Sequence, residues 1–317
     1  MNYRTLGRTG LKVSEIGFGS WAVGGNRHGN SYGTTNDAAS LKAIETALEL
    51  GCNFFDTADV YGHGHSEEIV GEGLRRGGKL NDVVVATKVG GNFTSGETVM
   101  DFSSQHVVNA IEASLKRMGR DYIDLYQLHN PSRRIINDGR IFETLDRLKE
   151  AGKIRYYGVS VHSVAEGMAC LTNGKPDTIQ IVYNFFSLLQ NDNPAEELFP
   201  SALDNNIGII AREPLANGFL TGQQRLDAKY EPGDIRASWP SNYRSHKISL
   251  AESLRFLEQP GRTLSQAALR FVLDEPAVST TIVGIKTLEQ AQENLAAAEL
   301  PPLSQSDKDR IKRTLFG

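Results

Sequence analysis

Short β-branched runs recur along the chain, and each is followed by a stretch of helical period. This alternation constrains the fold more than any single motif does. Parallel strands joined by crossover helices admit few architectures. The chain opens as a hairpin, Tyr3–Leu6 and Leu11–Glu15 around a turn at Gly7–Gly10. Strands are then expected at Ile16–Gly19, Asn53–Asp56, Val83–Lys88, Ile123–Leu128, Ile154–Ser160, Thr178–Val182, Ile207–Ala211 and Val278–Val283. Between them lie helical patterns. Asp37–Leu50 carries Leu41, Ile44, Ala47 and Leu48 on one face and stops at Gly51. The next has Ser66 near its N-cap and Glu67 and Glu68 in its first turn. A third starts at Ser103 or Ser104 and stops at Gly119, and a fourth covers Ile141–Ala151. Ser163-x-x-Glu166 and Thr263-x-x-Gln266 read as capping boxes, and Thr287-x-x-Gln290 caps the eighth helix. Pro194 sits near the first turn of the helix before strand seven. Gly218–Ser245 reads as a long polar loop, followed by helices near Lys247–Leu257 and up to Asp274, and a last one near Ser306–Leu315. Eight such units predict a (β/α)8 TIM barrel, with a doubly wound sheet as the alternative.

Composition allows that size of fold. The 317 residues suit one barrel domain over 1–317, and 39% hydrophobic with 23% charged excludes disorder. Net charge is −4 with both signs mixed, so nothing points to nucleic acid. No apolar run approaches the roughly 18 residues of a bilayer span, so no membrane is expected. MNYRTLGRTG lacks the apolar core of a signal peptide, and Cys52 and Cys170 make no disulfide framework. The expectation is a soluble, cytoplasmic protein whose oligomeric state the sequence does not indicate.

In a barrel, chemistry sits at the C-terminal strand ends. That rule selects Asp56, Tyr61, Lys88 and His129. A tyrosine hydroxyl, with a pKa of about 10, is a poor acid at neutral pH. A nearby ammonium favours the phenolate, and a histidine can bond the reacting oxygen or relay a proton. Lys88 needs a counter-ion, which Asp56 supplies. Lowering Tyr61 to about pH 7 would take roughly 4 kcal/mol of differential interaction. Such an acid would protonate a carbonyl oxygen as hydride reaches carbon, and would contribute about 10² to 10⁴ in rate. A Schiff-base role for Lys88 is a weaker alternative.

FFDTADVYGHGHSEEIVGEGL, VATKVG, DYIDLYQLHNP, IRYYGVS and IVGIKTLEQAQENL resemble the signature segments of the aldo-keto reductases, nearest to the bacterial and potassium-channel-subunit-like branches. The resemblance implies a TIM barrel and metal-free, NADPH-dependent interconversion of aldehydes or ketones with alcohols. It makes Asp56, Tyr61, Lys88 and His129 the catalytic tetrad, with Tyr61 the proton donor. Leu215, Gly218, Gly284, Lys286, Gln290, Glu293 and Asn294 would line the pyrophosphate and adenosine end. Lys286 would suit a 2′-phosphate. Ser20, Trp21 and Asp56 would approach the nicotinamide ribose, and Ser160 and Gln180 would hold the carboxamide. Two positions depart from the family pattern. Val161 replaces the usual Asn, and Arg212 replaces a residue that is aromatic in several branches. Arg212 would either stack on the flat ring or pair with Glu213. Some similar proteins are redox-reporting regulatory subunits with little turnover, which is the alternative function.

Trp21, Val23, Phe93, Asn130, Phe185 and Trp239 follow strand ends or lie in the long loop, and are candidates for a substrate pocket. Gly17-x-Gly19-x-x-Ala22 matches a dinucleotide fingerprint only loosely, because a loop and not a helix follows it. His63 and His65 lack a third metal ligand at sensible spacing.

Overall fold

The computed structural model describes residues 1–28, 31–231 and 233–317. Strands β1 (Tyr3–Thr5) and β2 (Lys12–Ser14) form the opening hairpin. Eight parallel strands close the barrel: β3 (Ile16–Gly19), β4 (Phe54–Asp56), β5 (Val84–Val89), β8 (Ile123–His129), β9 (Ile154–Ser160), β10 (Thr178–Val182), β11 (Gly208–Arg212) and β12 (Val278–Gly284). Two short strands that the sequence reading misses, β6 (Gly91–Asn92) and β7 (Val99–Met100), pair above β5. Helices α1 (Asp37–Glu49), α2 (His65–Arg76), α3 (Ser104–Met118), α4 (Arg133–Asp138), α5 (Arg140–Glu150), α6 (Val164–Asn173), α7 (Leu198–Asp204), α8 (Ser241–Ser253), α9 (Leu264–Leu273) and α10 (Leu288–Ala296) surround it, and α11 (Gln305–Phe316) ends the chain. None of the described helices is long and apolar enough to cross a membrane.

Local chemistry explains most of the helix starts. Ser103 accepts from His106 N, and α3 stops at Gly119 in a left-handed conformation. Ser163 and Thr263 make the expected capping boxes of α6 and α9. Ser66 lies near the N-cap of α2 as expected, two residues after Gly64, which holds that position, and its hydroxyl turns inward. Two expectations need correction. Pro194 lies before α7 and not in its first turn. The long loop is only partly irregular, because α8 begins at Ser241 and short 3-10 turns form at Ala216–Thr221 and Ile235–Ser238. Helix α8 has no clear apolar face to advertise it in sequence.

Period-2 alternation sets the barrel interior. Phe54, Ala86, Leu125, Ile210 and Ile282 form an apolar layer, closed from below by Leu6 of the hairpin segment and Val13 of β2. Two residues further along four of these strands come Asp56, Lys88, Gln127 and Arg212. The polar layer therefore lies at the C-terminal mouth.

Candidate active site

Lys88 is fully buried on β5. Its ammonium donates to Asp56 Oδ1, to the Thr57 carbonyl at 2.9 Å and to the Tyr61 hydroxyl at 3.3 Å. Asp56 is 1% exposed, and its second oxygen accepts from Gln127 Nε2 at 3.0 Å and Gln180 Nε2 at 2.9 Å. An unpaired ammonium here would be costly, so the pair and its two amides form one unit. The sequence reading leaves Gln127 out. Its signal was parity: it stands two residues beyond Leu125 and in register with Lys88. Gly158 on the neighbouring β9 is needed by Thr178, whose Oγ1 would lie 2.2 Å from a Cβ there, whereas Gln127 Cγ would stand at an ordinary 3.4 Å.

The turn after β4 carries Tyr61. Ser66 N donates to the Tyr61 carbonyl at 3.1 Å, and Tyr61 N to Ala58 O at 3.2 Å. Gly62 has φ +62°, and a Cβ there would lie 2.1 Å from the Gly24 carbonyl. Only glycine permits this approach. The imidazole of His129, the last residue of β8, meets the Tyr61 ring edge-on at 5.7 Å. Thus the structure brings together the four residues that the sequence picks out.

Electrostatics refine their roles. Burial pushes the Tyr61 pKa up, and Lys88 offsets only part of that, because Asp56 works against it. The expected net lowering of Tyr61 is therefore corrected: its hydroxyl is held in the neutral form. Burial disfavours the Lys88 ammonium, but Asp56 and Tyr61 outweigh it and hold its pKa above the ordinary lysine value. A Schiff-base lysine needs the opposite shift. Burial, then Lys88 and Arg212, push His129 well below its ordinary value, so its imidazole is neutral.

The remaining candidates divide. Ser160 is 1% exposed and donates to Asn130 Oδ1 at 3.3 Å, at the mouth. Gln180 turns its amide nitrogen onto Asp56 and Gln127, which makes it a brace for Asp56. Ser20 is fully buried, and its hydroxyl donates to the Asp56 carbonyl at 2.9 Å while accepting from Ser66 at 2.7 Å. It braces the C-terminal end of β3 against that of β4. Val23 and Phe185 are also fully buried, so both are core residues and not pocket lining. Phe185 packs on Phe271 at 4.5 Å. Trp21 stays half-buried, edge-on to Tyr32 at 4.5 Å. Trp239 stacks on Phe219 at 5.5 Å. Phe93 stacks on His63 at 4.6 Å, and His63 on His28 at 4.0 Å. His65 bonds Asp37 at 3.0 Å. A cavity of about 420 Å³ between His28, Asp37, His63 and Glu68 flanks the tetrad rather than containing it. Burial pushes the Cys52 thiol up, and that of Cys170 up to about 12, which suits inert core residues.

After β11, Ala216, Asn217 and Gly218 are consecutive left-handed residues with φ +46°, +59° and +89°. Leu215 just before them is half-buried. The Lys286 ammonium donates to the carbonyls of Tyr32 at 2.6 Å and Thr34 at 2.9 Å. Gln290 accepts from Lys286 N at 2.8 Å, and Glu293 from Thr263 Oγ1 at 2.8 Å. Asn294 is buried, whereas Gly284 is exposed.

Residues 15–315 match the model of the "Aldo/keto reductase family". The aldo-keto reductase YhdN of Bacillus subtilis is 32% identical over 291 residues, covering 90% of this chain and 85% of that protein. A probable voltage-gated potassium channel subunit beta of Arabidopsis thaliana is 31% identical, covering 96% and 93%. The holo form of aldo-keto reductase AKR11C1 from Bacillus halodurans superposes with a TM-score of 0.81 at 29% identity, over 99% of this chain and 96% of that one.

Proposed function

Because the chain belongs to the aldo/keto reductase family, we propose that it is an NADPH-dependent oxidoreductase that converts aldehydes or ketones to alcohols, or the reverse. The observation that carries this reading is the buried Lys88 ammonium shared between Asp56 and the Tyr61 hydroxyl, with a neutral imidazole beside them. Tyr61 holds a proton at the mouth and gives it to the carbonyl oxygen. Lys88 stabilises the phenolate that results, and Asp56 with Gln127 and Gln180 keeps Lys88 charged and aimed. Neutral His129 donates a hydrogen bond to the same oxygen and fixes the carbonyl's orientation. This polar mouth layer is the environment in which developing negative charge is stabilised without reorganisation.

The residues present fit the coenzyme. The left-handed run Ala216–Gly218 turns the chain sharply after β11, with the Ala216 and Gly218 amides closing the turns onto Glu213 O at 2.9 Å and Leu215 O at 3.0 Å, in one of the loops where barrels hold phosphate. Lys286 holds its ammonium on the Tyr32 and Thr34 carbonyls, with the Tyr32 hydroxyl reaching Asn217 Oδ1 of that run, and can exchange carbonyl partners for a phosphate. Ser160 presents a hydroxyl at the mouth for a carboxamide. When bound, the coenzyme supplies hydride to the carbonyl carbon.

The test is loss of NADPH absorbance with a panel of aromatic, aliphatic and sugar-derived carbonyls. Wild type is expected to consume NADPH, and Tyr61→Phe to lose about 10²- to 10⁴-fold in kcat while binding NADPH normally. Equal turnover in that variant would remove Tyr61 from its role. Tight NADPH binding with no turnover of any carbonyl would instead support the regulatory-subunit reading, which no observation in the geometry favours.

A further inference from the structure

Both positions that depart from the family pattern touch each other. Arg212 ends β11, and its side chain is 15% exposed. One terminal nitrogen pairs with the Glu213 carboxylate. The other donates to the Val161 carbonyl at 3.2 Å and lies 3.1 Å from His162 Nδ1. Glu213 divides its charge, because its second oxygen accepts from Asn217 Nδ2 at 3.1 Å. The planar guanidinium is thus fixed at three points across the mouth. Its charge reaches the tetrad, where it acts on both Tyr61 and His129.

Hydride transfer demands that donor and acceptor carbons stand about 3–3.5 Å apart. The acceptor carbon is bonded to the oxygen that Tyr61 protonates. The nicotinamide ring must therefore lie beside Tyr61 and His129, the two groups that feel Arg212. That ring is neutral when reduced. It carries a unit positive charge once its hydride and electron pair have moved to the carbonyl carbon and the Tyr61 proton has moved to the oxygen.

We propose that Arg212 is a specificity-determining residue that discriminates reduced from oxidised coenzyme by charge, with Glu213 setting the strength of that discrimination. This inference rests on the coenzyme reading given above. Arg212 accepts the neutral ring and repels the cationic one, which favours release of oxidised coenzyme after a reduction. The Val161 backbone carbonyl anchors the guanidinium, while its side chain is fully buried in the core.

The test is the ratio of Kd for NADP⁺ to Kd for NADPH, the latter read by coenzyme fluorescence and the former by competition. A unit charge several ångströms away, partly cancelled by Glu213, corresponds to roughly a three- to tenfold effect on that ratio. Arg212→Gln is expected to lower the ratio by that factor, and Arg212→Lys to keep most of it. Glu213→Gln is expected to raise it, since the cation loses its partner. An unchanged ratio in Arg212→Gln, or Arg212→Gln and Glu213→Gln moving in the same direction, overturns the proposal while leaving the coenzyme reading intact. Wild type that binds neither coenzyme defeats the coenzyme reading and this inference with it. If Arg212→Gln fails to fold, the other two variants still decide: Arg212→Lys should keep most of the ratio while Glu213→Gln raises it, and a ratio that Glu213→Gln leaves unchanged or lowers overturns the proposal.

Discussion

Replacing Asp56 by Asn tests whether the buried charge pair is one unit. The substitution keeps volume but removes the negative charge facing Lys88, which is fully buried. It also turns one acceptor oxygen into a donor. That amide must face either the Lys88 ammonium or the two amide nitrogens of Gln127 and Gln180, all of which are donors. Breaking a buried pair from one side costs about 3–5 kcal/mol. At about 2.1 cal/mol/K per residue, 317 residues give an unfolding entropy of ~0.67 kcal/mol/K. A loss of about 4 kcal/mol therefore lowers Tm by about 6 °C. Adding Lys88→Met removes the stranded ammonium, so the double variant should recover half or more of the loss. The two variants also differ in pH response. Wild-type Lys88 has a raised pKa, so its contribution is present below the ordinary lysine value of about 10.4 and fades above it. In Asp56→Asn the lone buried ammonium has a depressed pKa, so that variant gains stability as pH rises. The gap between them should narrow from pH 7 to 10. Thermal unfolding by far-UV circular dichroism across that range reads all of this. An Asp56→Asn variant within about 2 °C of wild type, with no recovery in the double variant, would refute the coupling.

Three further outcomes are expected. His129 stays neutral in the folded chain but takes up a proton below about pH 6.5 when unfolded, so it withdraws stability as pH falls, by up to about 1.4 kcal/mol per pH unit. His129→Gln should flatten the Tm difference between pH 7 and 5. Gly62→Ala places a Cβ against the Gly24 carbonyl and shifts Tyr61, so kcat should fall about 10²-fold at unchanged coenzyme affinity. Lys286→Ala should weaken NADPH binding by roughly ten- to a hundredfold, as measured by fluorescence titration, and leave NADH nearly unaffected.

Strand positions were legible because each run is punctuated by glycine, proline or charge. Ile154–Ser160 and Thr178–Val182 fall where the sequence places them. The tetrad was legible because polar residues at strand ends contradict a buried setting unless they answer one another. Side-chain direction in the loops was not. Phe185 and Ser20 follow strand ends as Trp21 does, yet Phe185 turns down onto Phe271, and the Ser20 hydroxyl folds back onto the Asp56 carbonyl. Those choices depend on helix α9 and on Ser66, which are remote in sequence. The sign of the Tyr61 shift was equally out of reach. It is a contest between burial and Lys88, and burial is a property of the closed mouth.

Gln127 shows how the barrel itself divides the labour. Phe54 and Asp56, Ala86 and Lys88, Leu125 and Gln127, and Ile210 and Arg212 are paired on the same inward faces, one pleat apart. In each pair the lower residue belongs to an apolar layer that Leu6 and Val13 close from below. The upper one belongs to the polar mouth. Burying Lys88 and Asp56 costs desolvation that their mutual attraction offsets only with good geometry. The packed layer beneath supplies both the apolar burial and the rigid strand ends that such geometry requires. Truncating Leu125 should therefore lower stability by about 2–5 kcal/mol and disturb the chemistry only through Gln127, its neighbour one pleat above.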